Sequence, residues 1–442
     1  MLKTVKFGGS SLADPAHFKM VRDIIFSDEA RKIVVVSAPG KRFSGDNKVT
    51  DLLYLCYAHI KYSVDYANIL HLIKERYSDI INGLGLDFDI DKKFDDIIDK
   101  IKNGAGEDFL VSRGEAVCAE IMAKYLGYDF VDSYENVFFN YDGSVNLEKT
   151  YEAIKKSYDA TSGKIVVPGF YGTMPNGNLA LMSRGGSDIT GALVAAALGA
   201  DMYENWTDVP GILMADPGIV DNPYPIPRIT YNELRELTYM GAKVLHEASV
   251  FPVRQAKIPL NIRDTNNPED PGTLINEEFE EKELNADKFY ITGIAGKKGY
   301  CIIDIKQENV ARKIGALRGV LKIFEKHGAT IEHILSGVDS YSLIVPMDTI
   351  KDIYSMIAEV KDFCGAGSVN VTEGISLVAC VSRKMASRPG ISGRIFGALG
   401  ENDINIRMIS QGAEELNIII GVDDKDYAKC IRVLYNSFTR KD

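Results

Sequence analysis

No run of apolar residues in this 442-residue chain approaches the ~18 needed to span a bilayer. No apolar signal core follows the basic residues near the N-terminus either. Both absences predict a soluble cytoplasmic protein without a membrane partner. Basic residues are in the minority. There are 51 Lys and Arg against 62 Asp and Glu, a formal net charge of -11. That balance argues against a nucleic-acid or membrane-surface protein, which usually shows a basic face. A few local cations can still hold an anionic ligand. Cysteine is sparse: Cys56, Cys118, Cys301, Cys364, Cys380 and Cys430 form no C-x-x-C pair and match no zinc spacing. They are expected to be buried thiols in a reducing compartment, and no protein metal site is predicted. The phosphate-loop pattern G-x-x-x-x-G-K-[ST] and the dinucleotide pattern G-x-G-x-x-G are both missing.

What is present is enough apolar sequence, 45% of residues, for several packed cores. At about 150 residues each, roughly three domains are expected. The first half alternates strand-like and helix-like segments. "LKTVKF" is a short β-rich run. "ADPAHFKMVRDIIF" has helical spacing, with Asp14 as N-cap and Pro15 at the first helical position. "KIVVVSAP" and "KIVVPGFYG" read as strands buried on both faces. "DITGALVAAALGA" reads as a small-residue helix, and "DMYENWTDVPGI" as a strand running into a loop. Strands alternating with helices predict an α/β sandwich with a largely parallel sheet. The span Asn266–Asp287, rich in Pro, Asp and Glu, reads as a domain edge.

Beyond it the chain repeats itself. "GALRGVLKIFEKHGATIEHILSGVDSYSLIV" from Gly315 aligns without a gap on "GISGRIFGALGENDINIRMISQGAEELNIII" from Gly390, an offset of 390 − 315 = 75 residues. Gly337 and Gly412 fall in register, and Val320/Ile395, Ile331/Ile406 and Leu343/Ile418 stay apolar. Each copy reads loop, helix, strand, turn, strand, and duplication explains the match better than chance.

Several short motifs carry chemistry. In "TVKFGGSSLADP", Lys6, Gly8, Gly9 and Ser10 lie between a strand and a helix start, where amide N–H groups favour a phosphate. A plain strand–turn–helix fits the same residues. "LMSRGGSDITGA" brings Arg184, a planar fork for a carboxylate or phosphate, next to a second Gly-Gly-Ser turn. Ser187 and Asp188 there serve as helix caps or as site residues. "WTDVPGILMADPG" offers two acidic turns that suit either a surface loop or the frame of a nucleotide. Lys243 of "MGAKVLHEASV" lies in a helix among small and apolar neighbours, where a snorkelling surface lysine is the alternative. Glu115 of "FLVSRGEAVCAE" sits near a helix start, where it could simply favour the helix dipole. Together these motifs gather two lysines, an arginine, a glutamate and two glycine turns on the loops of one α/β domain. Such domains bind ligands at the carboxyl ends of their strands. The set suits a ligand with several negative charges and a positive one.

In that order, "VKFGGSS", "VTDLLY", "SRGE", "SRGGSD", "TDVPGI" with "ADP", and "GAKVLH" resemble the aspartate kinases of the amino acid kinase family. The tail "INIRMISQGAEELNIII" resembles their ACT regulatory modules. The resemblance covers nearly the whole chain and implies a monofunctional enzyme. Its implied fold is a three-layer α/β/α kinase domain over 1–285, then two α+β, ferredoxin-like ACT modules over 286–362 and 363–442. Interlocking of the modules would give the strand 289–296 to the second. The implied activity is phosphorylation of the β-carboxylate of L-aspartate by Mg-ATP. That reaction makes 4-phospho-L-aspartate and opens the route to lysine, threonine and methionine. Lys6 and Lys243 would meet the phosphates, with Asp188 orienting them. Gly8, Gly9 and Ser10 would donate to phosphate oxygens, and Thr207, Asp208, Leu213 and Val244 would flank the nucleotide. Thr50, Glu115, Arg184 and Ser187 would hold the amino acid, and Mg²⁺ would sit mainly on ATP oxygens and water. The modules imply feedback inhibition by lysine, threonine or both, with Thr330, Glu332 and Ser336 as effector-site candidates, and pairing into a homo-oligomer. The sequence departs from the common pattern at Leu213, Gly218 and Glu247, none of which removes a proposed catalytic group. Glutamate and acetylglutamate kinases are rivals, disfavoured by Glu115 and the ACT pair. A non-catalytic amino-acid sensor is another, disfavoured by retention of Lys6, Asp188, Arg184 and Lys243.

Overall fold

The computed structural model describes residues 1–182, 185–242, 245, 247–280, 289–306, 308, 315–365 and 368–439. They form two compact units. One takes in Met1–Ile212, Pro225–Asn232 and Val244–Leu284; the other takes in Leu213–Tyr224, Glu233–Lys243 and Asn285–Asp442.

The first unit is built on an eight-stranded sheet. Its spatial order is Asp129–Phe130, Ile165–Pro168, Arg31–Val36, Lys3–Phe7, Met202–Thr207, Leu260–Asp264, Thr273–Asn276 and Arg228–Thr230. All neighbours are parallel except Leu260–Asp264 with Thr273–Asn276. The pleat sorts alternate residues to opposite faces. Val5, Phe7, Val34, Val36 and Trp206 join one core, with the helices Pro15–Phe26, Val49–Lys61, Ala67–Leu84 and Glu107–Leu126. Ile33, Val35, Ile165 and Val167 join the other, with Leu147–Asp159 and Gly186–Leu198. This is the expected three-layer sandwich. Local signals behave as their chemistry requires: Asp14 accepts from His17 N–H at 3.0 Å, and Pro15 occupies the first turn of its helix. The Pro- and acid-rich span from Asn266 reads as an edge, yet it contains the strand Thr273–Asn276, which lies within the sheet.

One polar cluster sits in this core. The side chain of Glu204 is fully buried. It accepts from Lys3 Nζ, Arg31 Nε and Trp206 Nε1, each at 2.9 Å. Burial alone would raise its carboxyl pKa, but Arg31 and Lys3 hold it below the ordinary value. Glu204→Ala strands the buried Arg31 charge. The expected loss of stability is about 3–5 kcal/mol, read as a lower urea midpoint. A loss below about 1 kcal/mol, the range of an exposed pair, would contradict this account.

The second unit carries a six-stranded antiparallel sheet in the order His333–Ser336, Ser340–Pro346, Gly293–Lys306, Ser368–Val381, Asn417–Asp423 and Met408–Ser410. The repeat is visible in it. The helices Ala316–Lys326 and Ile391–Glu401 start and end 75 residues apart (391 − 316 and 401 − 326). Each is preceded by a glycine with positive φ, +83° at Gly315 and +97° at Gly390. That left-handed backbone is why glycine recurs in register. The two long central strands are shared. Gly293–Lys297 pairs with Leu377–Val381, whereas Tyr300–Lys306 pairs with Ser340–Pro346 and with the start of Ser368–Val381. Segment Glu233–Lys243 belongs to this unit. Its buried Glu233 meets Arg383 Nη1 at 2.6 Å and accepts from Thr292 Oγ1 at 2.5 Å. All six cysteines are buried thiols, as expected.

Candidate active site

Parallel strands put their carboxyl ends on one edge of the first unit's sheet, and Lys6, Gly8, Gly9, Ser10, Thr207 and Asp208 lie at or just past two of those ends. Lys6 follows Val5 on the pleat, so its side chain leaves the face opposite Val5 and Phe7 and meets the helix Gly186–Leu198. There its Nζ lies 2.6 Å from Asp188 Oδ1. Lys6 is 7% exposed. Its neighbour across the strand pair is Asn205, whose Nδ2 donates to Asp188 Oδ1 at 3.0 Å and whose Oδ1 accepts from Lys6 at 3.5 Å. The three side chains close a ring in which two groups fix the ammonium of the third. No sequence motif flags Asn205. The available signal was an amide in mid-strand between Glu204 and Trp206, in a segment otherwise read as strand.

After Phe7 the chain enters a 3₁₀ turn, Gly9–Leu12. The leading N–H groups of such a turn have no partner within it. Gly8 lies against Lys6: a β-carbon there would be 3.5 Å from Lys6 Nζ. Gly9 is needed for a different reason. It interlocks with Gly40, whose N–H donates to Gly9 O at 2.7 Å. A β-carbon on Gly9 would come within 2.7 Å of Ala38 O, and one on Gly40 within 2.6 Å of Gly9 C. The turn is held from the far side by Ser11, whose hydroxyl meets Thr265 Oγ1 at 2.7 Å.

Glu115 lies on the other side of the same short segment. The helix that carries it packs close because Gly114 has no side chain: a β-carbon there would be 3.0 Å from Ala38 Cβ and Leu53 Cδ1. Glu115 is 4% exposed, and its Oε2 has no hydrogen-bond partner among the described residues. Burial pushes its carboxyl up to about 8, opposed by N–H groups of Ala38 and of its own backbone, and by Arg113. A buried carboxyl with an unsatisfied oxygen suits a cationic ligand that completes the pair. Thr50 stands at the second position of Val49–Lys61, whose Val49 N–H donates to Pro39 O at 3.3 Å.

Ser187 and Asp188 do not cap their helix. The helix starts at Gly186 after Gly185, with no side-chain cap, and both residues lie in its first turn. Ser187 is buried against Gly169, where an added β-carbon would be 2.6 Å from its own. Thr207 ends the strand beside Lys3–Phe7 and Asp208 follows it, with Thr207 Oγ1 donating to Asp208 Oδ1 at 3.2 Å. Leu213 belongs to the second unit. Arg184, Lys243 and Val244 lie outside the described residues. In the second unit, Thr330 bonds Thr349 Oγ1 through its N–H at 3.2 Å. Burial, followed by the nearby Glu332 carboxylate, pushes the Tyr239 phenol up to about 12. Ser336 ends an edge strand opposite Tyr341.

Comparison with known proteins identifies the family. A model of the amino acid kinase family matches residues 1–264, and a model of the ACT domain matches 378–438. Aspartokinase 3 of Bacillus subtilis (strain 168) is 35% identical over 453 residues, spanning 99% of this chain and 98% of its own length. The crystal structure of Clostridium acetobutylicum aspartate kinase superimposes with a TM-score of 0.90 at 45% identity, covering 99% of this chain and all of that one (100%). E. coli aspartokinase III, in complex with aspartate and ADP, is 25% identical with a TM-score of 0.73, covering 99% of each chain. With a family model matching more than half its length and a full-length relative above 30% identity, this chain belongs to the amino acid kinase family and, within it, to the aspartokinases.

Proposed function

We propose that this protein transfers the γ-phosphoryl group of ATP to the β-carboxylate of L-aspartate, giving 4-phospho-L-aspartate, and that lysine, threonine or both restrain it through the second unit. The observation that carries the reading is the ring of Lys6, Asp188 and Asn205 at the strand ends. The glycine turn abuts it, and the unsatisfied carboxyl of Glu115 lies across the Ala38–Gly40 segment.

The chemistry asks little of a base. A side-chain carboxylate with a pKa of about 4 is already ionised at neutral pH. The obstacle is repulsion between that carboxylate and the γ-phosphate, so catalysis reduces to position and positive charge. Lys6 supplies a point charge whose place is set by Asp188 and Asn205 before substrate arrives. Glu115 takes the ammonium of aspartate, Arg184 takes a carboxylate in bidentate fashion, and Thr50 and Ser187 contribute hydroxyls. Gly9 and Ser10 take phosphate oxygens, since Gly8 donates its N–H to Trp206 O at 3.1 Å. Thr207 and Asp208 flank the nucleotide, and the resemblance adds Lys243 at the phosphates and Leu213 and Val244 beside the nucleotide. Mg²⁺ would be held chiefly by the nucleotide's own oxygens and water. The ring's own carboxylate is Asp188, whose Oδ1 is already shared by Lys6 and Asn205. When bound, the ion neutralises charge on the phosphates.

The regulatory modules in this proposal are 286–362 and 363–442, with 289–296 assigned to the second. The pairing of Gly293–Lys297 with Leu377–Val381 supports that assignment. Thr330, Glu332 and Ser336 remain the effector candidates, and module pairing makes the protein a homo-oligomer. The deciding assay is ATP-dependent acyl-hydroxamate formation with L-aspartate, L-glutamate and N-acetylglutamate, each with and without lysine and threonine. Turnover confined to aspartate and lowered by one additive is expected. Turnover on another acid, or none at all, would overturn the assignment.

A further inference from the structure

Arg76 carries a charge that none of the steps above uses. It lies in the helix Ala67–Leu84 and is 3% exposed. Its Nη1 donates to Gly40 O at 2.7 Å, and its Nη2 donates to Asp46 Oδ2 at 2.5 Å and to Asn47 O at 3.5 Å. Asp46, itself 9% exposed, also accepts from the Arg42 N–H and from Arg42 Nε, each at 3.0 Å. The Arg42 guanidinium, with Arg76 behind it, keeps the Asp46 carboxyl well below the usual range. One buried guanidinium therefore ties the first residue of the loop Gly40–Asn47 to its last two.

Both ends of that loop abut the candidate site. Gly40 donates its N–H to Gly9 O at 2.7 Å, inside the glycine turn beside Lys6. Asn47 leads through Lys48 into the helix that bears Thr50. The residue two before Gly40 is Ala38, whose N–H meets the Glu115 carboxyl. A buried ion pair is a poor device for stability alone, because well-packed apolar side chains often do as well. What a planar fork adds is direction: it addresses a carbonyl and a carboxylate at a fixed angle, which a lysine cannot.

We infer that Arg76 is a positioning residue for phosphoryl transfer, holding the Gly40–Asn47 loop so that Gly40 seats Gly9 and Ala38 seats Glu115. The inference rests on the kinase reading above. A displacement of about 1 Å at reacting groups can lower a rate about 10²-fold, and that is the loss of kcat expected for Arg76→Ala. Addition of methylguanidinium should restore part of that kcat. Arg76→Lys keeps the buried charge and so guards against a variant that fails to fold. It should melt close to the unsubstituted protein yet still lose about tenfold in kcat, because its ammonium lacks the fixed planar fork that addresses Gly40 O and Asp46 together. A merely structural role predicts the reverse. Activity would then fall only in proportion to the folded fraction, methylguanidinium would not help, and Arg76→Lys would keep normal constants. Those results, with the unsubstituted protein active on aspartate, overturn the positioning role alone. Inactivity of the unsubstituted protein on aspartate overturns the kinase reading and this role with it.

Discussion

Lys6→Ala is expected to lower kcat for aspartate phosphorylation by about 10³-fold, the scale seen when a preorganised cation or donor at a transferring group is removed. The fold should survive. Asp188 loses its nearest cation but keeps Asn205 Nδ2 at 3.0 Å, and its side chain is 19% exposed, so water reaches it. The thermal transition should therefore move little while turnover collapses. Lys6→Arg offers a useful contrast. It keeps the charge but needs room for a planar fork where Lys6 is 7% exposed and Gly8 lies against its ammonium. It should recover only a small part of the rate. Asn205→Ala leaves the lysine with one partner instead of two, and about a tenfold loss of kcat with unchanged KM for both substrates is expected for a group that acts through Lys6. Normal turnover in Lys6→Ala would remove this lysine from the reaction and leave the ring as a structural feature of the sheet edge.

Lys6 and Asn205 also show where sequence reading succeeds and where it stops. Lys6 is legible because its neighbours are contiguous: a strand, two glycines and a serine form a recognisable unit. Asn205 is not, because it meets Lys6 through the register of two strands 199 residues apart, and register is set by pairing. The reason Gly9 must be glycine is not legible either: a β-carbon there would meet Ala38 O and Gly40 N, residues of a segment with no periodicity to read. The helix beginning at Pro15 and the repeat at 75 residues were legible because each is a local pattern in composition or spacing. The strand Thr273–Asn276 was hidden because four apolar and polar residues are outweighed by the Pro, Asp and Glu around them. Ser187 suited a cap by type, but the helix starts before it, at Gly186. Type and spacing pointed to the sheet edge that carries Lys6 and the glycine turn. Only tertiary contact shows that Ala38 and Gly40 stand between Glu115 and the glycine turn.

At Glu115 function and stability are expected to pull in opposite directions. Glu115→Gln removes the charge that meets the ammonium of aspartate, and KM for aspartate should rise about 10²-fold, as when one member of a buried charged pair is lost. KM for ATP should change far less. Yet the same substitution should stabilise the protein at alkaline pH. Burial pushes the Glu115 carboxyl from its ordinary 4.5 up to about 8, so between those values the folded protein holds a proton that the unfolded chain has released. More protons on the folded state means that stability falls as pH rises through this window. The accumulated penalty at pH 8 is about 5 kcal/mol at most, since each pH unit crossed in the window costs ~1.4 kcal/mol. Glutamine carries none of it. The melting temperature of Glu115→Gln should therefore exceed that of the unsubstituted protein at pH 8, with the gap closing toward pH 4.5. The kinetic counterpart has the same origin. Since the ionised carboxylate is the form that pairs with the ammonium, KM for aspartate in the unsubstituted protein should fall about tenfold from pH 6.5 to pH 8, and the glutamine variant should lack that slope. A flat KM together with no gain in melting temperature would mean that Glu115 is ionised without a ligand, whereas an unchanged KM for aspartate in Glu115→Gln would mean that the ammonium is held elsewhere along the sheet edge.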